Sequence, residues 1–235
     1  MQIDGPLIPA VFIQRPNRFI TVVEISGKQY RSHLPDPGRL TELLIPGVSL
    51  LVCPAINRAK RKTAYTTVMV KIDDKWISLV STLPNKFVKH SFNNNTLPMF
   101  KTFDLVRPEI KVGNHRFDFL LQDSLKNDFY LEVKSITLVE KGVARFPDAI
   151  TERGKKHAEK LMELVSKGEQ AGILFVCQRP DAYLFKPMWD RDPNFSQSLL
   201  NAYKSGVKVW CITLHIYETE ITFNKQIPVN LERNQ

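Results

Sequence analysis

The sequence predicts a chain in two parts, a small β-barrel followed by an α/β layer structure. Three observations predict it: short strand candidates with turn signals fill the first 80 residues, helix patterns with clear start and stop residues occur after residue 150, and buried strand patterns lie between and after those helices. With 235 residues, of which 43% are hydrophobic, the chain can bury a substantial core. One large domain or two modest domains are therefore expected.

The first 80 residues are predicted to form about five short strands. Ser26-Gly27 is a hairpin signal between the first two strands. Short strands in this number fit an OB-like barrel, a fold that commonly binds oligonucleotides. We therefore expect residues 1–80 to form an OB-like β domain that binds nucleic acid. The strand candidates cover residues 19–25, 28–33, 48–52, 64–71 and 76–80.

A strongly basic loop lies between two of these strands, at residues 57–63. It has no acidic residue, a composition typical of a solvated loop and also of a loop that contacts phosphates. The positive net charge of the chain favours the second interpretation. The predicted DNA-binding cations of this loop are Arg58, Lys60, Arg61 and Lys62.

A second loop, residues 33–40 with the sequence HLPDPGRL, is rigid because it contains two prolines and one glycine. It presents Arg39 in a defined place beside His33 and Asp36. This loop is either a structural turn or a binding loop. Under the second interpretation Arg39 is a further DNA-binding residue.

From residue 81 onward the pattern changes to alternating helices and strands. A helix is predicted at residues 84–92, with Pro84 in its first turn, and another at residues 151–167, closed by Gly168. A third begins at Asp192-Pro193. The predicted order is helix, three strands, helix, strand, helix, strand. This order predicts an α/β layer domain over residues 81–235.

The charge balance limits the partners. The chain has 33 Lys and Arg residues against 24 Asp and Glu residues, a net charge of +9, which favours a polyanion such as nucleic acid or an anionic membrane surface. No apolar run is long enough to span a bilayer, and residues 1–19 lack the basic segment of a signal peptide. The three cysteines match neither a disulfide framework nor a zinc site. We therefore expect a cytoplasmic protein with a nucleic-acid partner and no membrane association.

Charged residues interrupt two apolar runs in residues 116–134, RFDFLLQDSLKNDFYLEVK. Strand alternation places Glu132 and Lys134 on one face, and antiparallel pairing of the two strands would bring Asp118 beside Glu132. A half-exposed surface hairpin shows the same alternation. Two neighbouring carboxylates can, however, share a divalent cation, and a lysine beside them can stabilise charge on a phosphate or orient a water molecule. The second interpretation predicts a site that cleaves phosphodiesters.

The start of the helix at residues 151–167 carries a second basic cluster. Arg153 and His157 are four residues apart and share a helix face, and Lys156 lies next to Arg153 in space. These three residues suit a phosphate, although a solvated amphipathic helix shows a similar pattern. Gly154 lowers the helix propensity, so we expect a close packing contact at this position.

The order of the second part, with Asp118 on its second strand and Glu132-x-Lys134 on its third, resembles the PD-(D/E)XK nuclease superfamily. The resemblance implies that Asp118 and Glu132 bind Mg²⁺, for which Mn²⁺ can substitute, and that Lys134 assists the attacking water. Glu109, on the preceding strand, is implied as a third carboxylate ligand. The implied catalytic residues are thus Asp118, Glu132 and Lys134.

Five segments along the chain form a recognisable set: residues 33–40 (HLPDPGRL), 60–62 (KRK), 116–119 (RFDF), 132–135 (EVKS) and 146–157 (FPDAITERGKKH). On these segments the whole chain resembles the sugar fermentation stimulation protein A family. The resemblance implies an N-terminal OB-like domain, a C-terminal PD-(D/E)XK nuclease-like α/β domain, non-specific DNA binding and a proposed regulatory role in sugar metabolism, particularly of maltose.

Two functions remain open at this point. One is a non-specific DNA-binding protein with an intact nuclease-type metal site, and the other is an active metal-dependent phosphodiesterase that uses that site. A small-molecule enzyme is less favoured, because no glycine-rich phosphate loop is present and the charge excess suits a polymer. The sequence does not choose between DNA and RNA, and it leaves a homodimer open.

Overall fold

The computed structural model describes residues 1–3, 5–55 and 61–233 of the chain. Packing of the Cα trace divides the protein into two units. The first contains Met1–Leu83 and His215–Thr222, and the second contains Pro84–Leu214 and Phe223–Gln235. The helices of the described ranges are all too short or too polar to cross a bilayer.

Six strands of the first unit form one sheet in the order β3-β2-β1-β4-β5-β6. An additional parallel pairing of β3 with β5, in which Ser32 lies opposite Tyr65, closes the sheet into a barrel. The prediction of an N-terminal OB-like barrel is confirmed. The strands are β1 (Ile8–Asn17), β2 (Ile20–Ile25), β3 (Lys28–His33), β4 (Ser49–Pro54), β5 (Tyr65–Ile72) and β6 (Lys75–Ser78).

A chain of three buried hydroxyl groups lies among the apolar side chains of the first unit. The Oγ1 atoms of Thr21 and Thr67 are 2.7 Å apart, and Thr67 Oγ1 donates to Ser32 Oγ at 2.8 Å. Because each hydroxyl has a partner, its burial is not penalised by a lost hydrogen bond. The surrounding core includes Phe12, Val23, Leu34, Leu40, Leu43, Leu50, Val52, Val70, Ile77 and Leu79.

The second unit is built on a six-stranded mixed sheet in the order β15-β14-β12-β9-β8-β7. Strands β9, β12 and β14 are parallel, and β8 pairs antiparallel with both β7 and β9. A small separate sheet has the order β10-β11-β13. The strands are β7 (Asp104–Val112), β8 (His115–Gln122), β9 (Asp128–Ile136), β10 (Val139–Glu140), β11 (Val143–Phe146), β12 (Gln170–Cys177), β13 (Leu184–Pro187), β14 (Lys208–Ile216) and β15 (Ile221–Ile227).

Three α-helices accompany this sheet: α1 (Leu83–Asn94), α2 (Glu152–Ser166) and α3 (Pro193–Lys204). The predicted α/β architecture is confirmed, including helix starts at Thr151 and Asp192. Thr151 Oγ1 accepts the Gly154 N–H at 3.1 Å, and Asp192 Oδ1 accepts the Phe195 N–H at 2.9 Å. Both side chains therefore act as N-caps.

Helices α2 and α3 approach each other closely at Gly154. A Cβ atom at this position would lie 2.8 Å from Thr151 Cγ2 and 3.2 Å from Phe195 Cδ2. Asp192 adds a second link, because its Oδ2 accepts the Thr151 N–H at 2.8 Å while its Oδ1 caps α3. The expected close contact at Gly154 is thus present, and it fixes the start of α2.

Candidate functional site

Asp118 and Glu132 meet where strands β8 and β9 stop their regular pairing. The register runs from Gln122 opposite Asp128 to Phe119 opposite Leu131, and the next two positions are Asp118 and Glu132. There the Val133 N–H donates to Asp118 Oδ2 at 2.7 Å. The Asp118 carboxylate thus accepts a hydrogen bond from the backbone of the neighbouring strand and lies beside Glu132, as the predicted antiparallel pairing implied.

Asp118 is partly buried, which disfavours its negative charge. Its pKa is raised from 3.8 to about 6, first by loss of contact with solvent and second by the charge of Glu132. The hydrogen bonds from Val133 and from Asn85, whose Nδ2 donates to Asp118 Oδ1 at 2.6 Å, only partly oppose this change. A second positive group at this carboxylate would therefore be stabilising.

Glu132 is only 3% exposed, and its two carboxylate oxygens differ in their hydrogen-bond partners. Lys134 Nζ donates to Glu132 Oε1 at 2.6 Å, and His157 Nδ1 lies 2.5 Å from the same atom. Among the described residues, Glu132 Oε2 is buried without a hydrogen-bond partner. Burial alone would raise the pKa of Glu132, but Lys134 and His157 outweigh it and the net pKa is lowered. The site therefore contains an ionised carboxylate with a free acceptor atom.

His157 reaches this site from α2. Its side chain is buried against the ring of Phe117, with 5.6 Å between ring centroids. Spacing along the helix predicted that His157 lies with Arg153 and Lys156 on a phosphate-binding face. In the structure Arg153 and Lys156 are exposed, whereas His157 is buried and contacts Glu132. The signal for this placement is the four-residue spacing between His157 and the buried Leu161, which puts both on the inner face of the helix.

Glu109 does not join the two carboxylates. Its side chain is 68% exposed and its Oε2 lies 3.7 Å from Arg116 NH1. Over the residues that the structure describes, no group of three or more His, Cys, Asp or Glu side chains is arranged to hold a metal ion. The donor set at β8 and β9 is therefore two carboxylates. This set fits Mg²⁺, which is usually bound through one or two carboxylates plus water, and it does not fit a closed zinc site.

Most of the predicted DNA-binding cations lie on the surface. Arg39, Arg61, Lys62, Arg153 and Lys156 are exposed. Arg61 NH1 donates to Thr66 Oγ1 at 3.2 Å. Arg58 and Lys60, also assigned to DNA binding, lie outside the described residues.

The raised pKa of Asp118 gives a pH-dependent prediction for the variant Asp118→Asn. Between pH 3.8 and about 6 the unfolded wild-type chain releases this proton and the folded chain keeps it, so wild-type stability falls as pH rises through this window. Asp118→Asn has no such proton. Without divalent cations we therefore expect the variant to become more stable than wild type as pH rises through this window. At pH values above the window the difference in the free energy of unfolding should reach about 3 kcal/mol.

Chemical denaturation in chelator at about pH 4 and about pH 8 measures this difference. The amide can still accept the Val133 N–H, and Asn85 can turn its own amide to match, so the local hydrogen bonds are retained. A difference in stability that does not change with pH would contradict the prediction.

Two family models match the chain. Residues 13–79 match the SfsA N-terminal OB domain, and residues 82–220 match the sugar fermentation stimulation protein RE domain. A sugar fermentation stimulation protein homolog of Moorella thermoacetica is 39% identical over 98% of this chain and 100% of its own. The homolog of Methanosphaera stadtmanae is 44% identical over 92% of this chain and 89% of its own. The solved structure of Pyrococcus furiosus SfsA in complex with Ca²⁺ is 29% identical, with a TM-score of 0.88 over 98% of each chain.

Proposed function

Because the chain belongs to the sugar fermentation stimulation protein family, we propose that it is a non-specific DNA-binding protein whose second unit carries a Mg²⁺-dependent site of the nuclease type. The proposal combines the positive net charge, the OB barrel and the carboxylate pair at β8 and β9. Asp118, Glu132 and Lys134 are the proposed catalytic residues.

One observation carries the metal part of the proposal: Glu132 is buried and ionised, and its Oε2 has no hydrogen-bond partner among the described residues. An unsatisfied buried acceptor costs roughly 1–3 kcal/mol. The ionised form of the neighbouring Asp118 is also disfavoured, by loss of contact with solvent and by repulsion from Glu132. A divalent cation relieves both penalties. The Ca²⁺ in the Pyrococcus furiosus structure supports this, since Ca²⁺ and Mg²⁺ both prefer oxygen ligands.

Asp118 and Glu132 would hold the cation, which when bound supplies Lewis-acid stabilisation of charge on the scissile phosphate. The Val133 N–H and Asn85 orient the Asp118 carboxylate. Lys134 Nζ donates a hydrogen bond to Glu132 Oε1, and its ammonium can also donate a hydrogen bond to a phosphate oxygen or orient the attacking water. His157 fixes Glu132 from the helix side, so that Oε2 is the atom left for the cation.

DNA binding is proposed from charge and exposure. The proposed contacts within the described residues are the exposed cations Arg39, Arg61, Lys62, Arg153 and Lys156. From the sequence alone Arg58 and Lys60 are added. Phosphate contacts of this kind bind without sequence preference, which agrees with non-specific binding.

The test is retention of duplex DNA as a function of salt. If about five phosphates are contacted, the affinity should fall several-hundred-fold between about 50 and about 200 mM salt, because bound counterions are released. Fluorescence anisotropy with a labelled duplex measures the slope, and the same samples with Mg²⁺ or Mn²⁺ report cleavage. An affinity that stays flat with salt would reject electrostatic DNA binding.

A second candidate function is a DNA-binding regulator without nuclease activity. The observation that favours it is the incomplete carboxylate set, since Glu109 does not reach Asp118 and Glu132. In this case the carboxylate pair is a structural or regulatory metal site, in accord with the regulatory role in sugar metabolism that the family name suggests. Salt-sensitive retention by the wild-type protein with no cleavage in Mg²⁺ or Mn²⁺ would select this function.

A further inference from the structure

A large aromatic side chain is exposed at the turn between β1 and β2. Phe19 is 44% exposed, and the guanidinium carbon of Arg18 lies 4.9 Å from the centre of its ring. An arginine at this distance interacts with the face of the ring. The turn therefore presents an aromatic ring and a cation as one unit.

Arg15 holds this turn against the loop of residues 33–40. Its guanidinium donates to the carbonyl oxygen of Arg18 at 2.8 Å and to that of Arg39 at 2.5 Å. In the same loop Asp36 Oδ1 accepts the Gly38 N–H at 2.8 Å. The rigid loop predicted from its prolines is thus connected to the turn by a side chain that spans both.

Arg61 lies at the same end of the barrel as this turn. The Leu34 N–H donates to the Phe19 carbonyl at 2.8 Å, and the preceding residue, His33, pairs with Thr66 in the β3–β5 ladder. Thr66 Oγ1 accepts a hydrogen bond from Arg61. Burial lowers the pKa of His33, and the nearby charge of Arg61 lowers it further. Arg18, Phe19 and Arg61 therefore belong to one end of the barrel, and we name these three residues the barrel-end surface.

We propose that the barrel-end surface binds single-stranded DNA, with an unpaired base stacked on Phe19 and neighbouring phosphates contacted by Arg18 and Arg61. The inference rests on the proposed DNA binding and specifies the form of the strand. An exposed aromatic ring between cations is suited to a base and its phosphates, since every base has a stacking face. In a duplex those faces are covered by neighbouring bases, so the ring favours an unpaired strand.

The experiment measures the affinity of the full-length protein for three probes of about 15 nucleotides: oligothymidylate, an abasic strand of equal length and a blunt duplex. The variants are Phe19→Ala, Phe19→Leu and Phe19→Trp. Tyr203→Ala is the matched control, because Tyr203 is a comparably exposed aromatic residue (53%) on α3. Thermal unfolding of each variant confirms that it is folded.

We expect Phe19→Ala and Phe19→Leu to weaken oligothymidylate binding about 5- to 150-fold and to leave abasic-strand binding unchanged. Phe19→Trp and Tyr203→Ala should bind as wild type does. Arg18→Ala should weaken the binding of both single strands. It should also reduce the salt dependence of the affinity by an amount that corresponds to about one phosphate contact.

Three results would overturn the inference. If Phe19→Leu binds oligothymidylate as wild type does, the ring does not stack. If Phe19→Ala weakens both single strands equally, the residue acts through the fold or through phosphates. If all Phe19 variants bind every probe normally with a strong salt dependence, the barrel-end surface is not used and DNA binding itself stands. Failure of wild type to bind any probe would instead reject the proposed function.

Discussion

Asp118→Asn is expected to lower Mg²⁺-dependent DNA cleavage by about three orders of magnitude or more while the protein stays folded. The variant removes one of the two carboxylates that would hold the cation, and the remaining Glu132 cannot provide the same charge alone. Because the pKa of Asp118 is raised by burial and by Glu132, the same change relieves repulsion in the metal-free protein. Loss of cleavage without loss of stability separates catalysis from folding.

The measurement is cleavage of supercoiled plasmid, linear duplex and single-stranded DNA with and without Mg²⁺ or Mn²⁺, with retention of each DNA measured in parallel. Asp104→Asn is the matched control, since Asp104 is a carboxylate on the neighbouring strand β7 whose side chain is 83% exposed. The control should cleave as wild type does. Cleavage that persists in Asp118→Asn and in Asp118→Ala would remove Asp118 from the mechanism.

The fold was predictable from the sequence where the information is local. Strand alternation in residues 116–134 was enough to place Glu132 and Lys134 on one face. The apolar face of residues 151–167 was enough to predict α2, and the start signal Asp192-Pro193 was enough to place the beginning of α3. The strands β1 and β15 were not predicted, nor were the three short strands β10, β11 and β13. With two to four residues each, the three short strands are too short to show a period.

The parts of the site that the sequence could not supply are contacts between distant segments. Asn85 bonds to Asp118 across 33 positions, and His157 bonds to Glu132 across 25. The Asn85 contact does not follow from periodicity, because it depends on how α1 packs on the sheet. The spacing between His157 and the buried Leu161 indicates an inward-facing side chain, but it does not identify Glu132 as the partner. His157 was therefore assigned to a phosphate-binding surface from its spacing to Arg153, whereas packing of α2 turned it inward.

Glu132→Ala is expected to lower the free energy of unfolding by about 3–5 kcal/mol, the usual cost of removing one partner of a buried ion pair. Lys134 Nζ and His157 Nδ1 both lose their acceptor, and the Lys134 side chain is only 13% exposed. Part of the cost is offset, because the charge that raises the pKa of Asp118 disappears as well. Chemical denaturation in chelator measures the difference.

The pH dependence of that difference identifies its cause. Folding lowers the pKa of Glu132 below its ordinary value of 4.5, so its stabilising contribution is complete above this pH and is lost as pH falls through the folded-state pKa. The gap between wild type and Glu132→Ala should therefore narrow in acid.

The double variant Glu132→Ala with Lys134→Met tests the pairing directly, because it removes the buried charge that the single variant leaves behind. It should recover part of the lost stability, which a purely steric role for Glu132 would not allow. Glu132→Gln, which keeps an acceptor for Lys134, should lower the free energy of unfolding less than Glu132→Ala does.

Addition of Mg²⁺ should stabilise wild type but not Glu132→Ala, since a ligand that binds only the folded state stabilises it. Equal stabilisation of Glu132→Ala by Mg²⁺ would place the cation elsewhere.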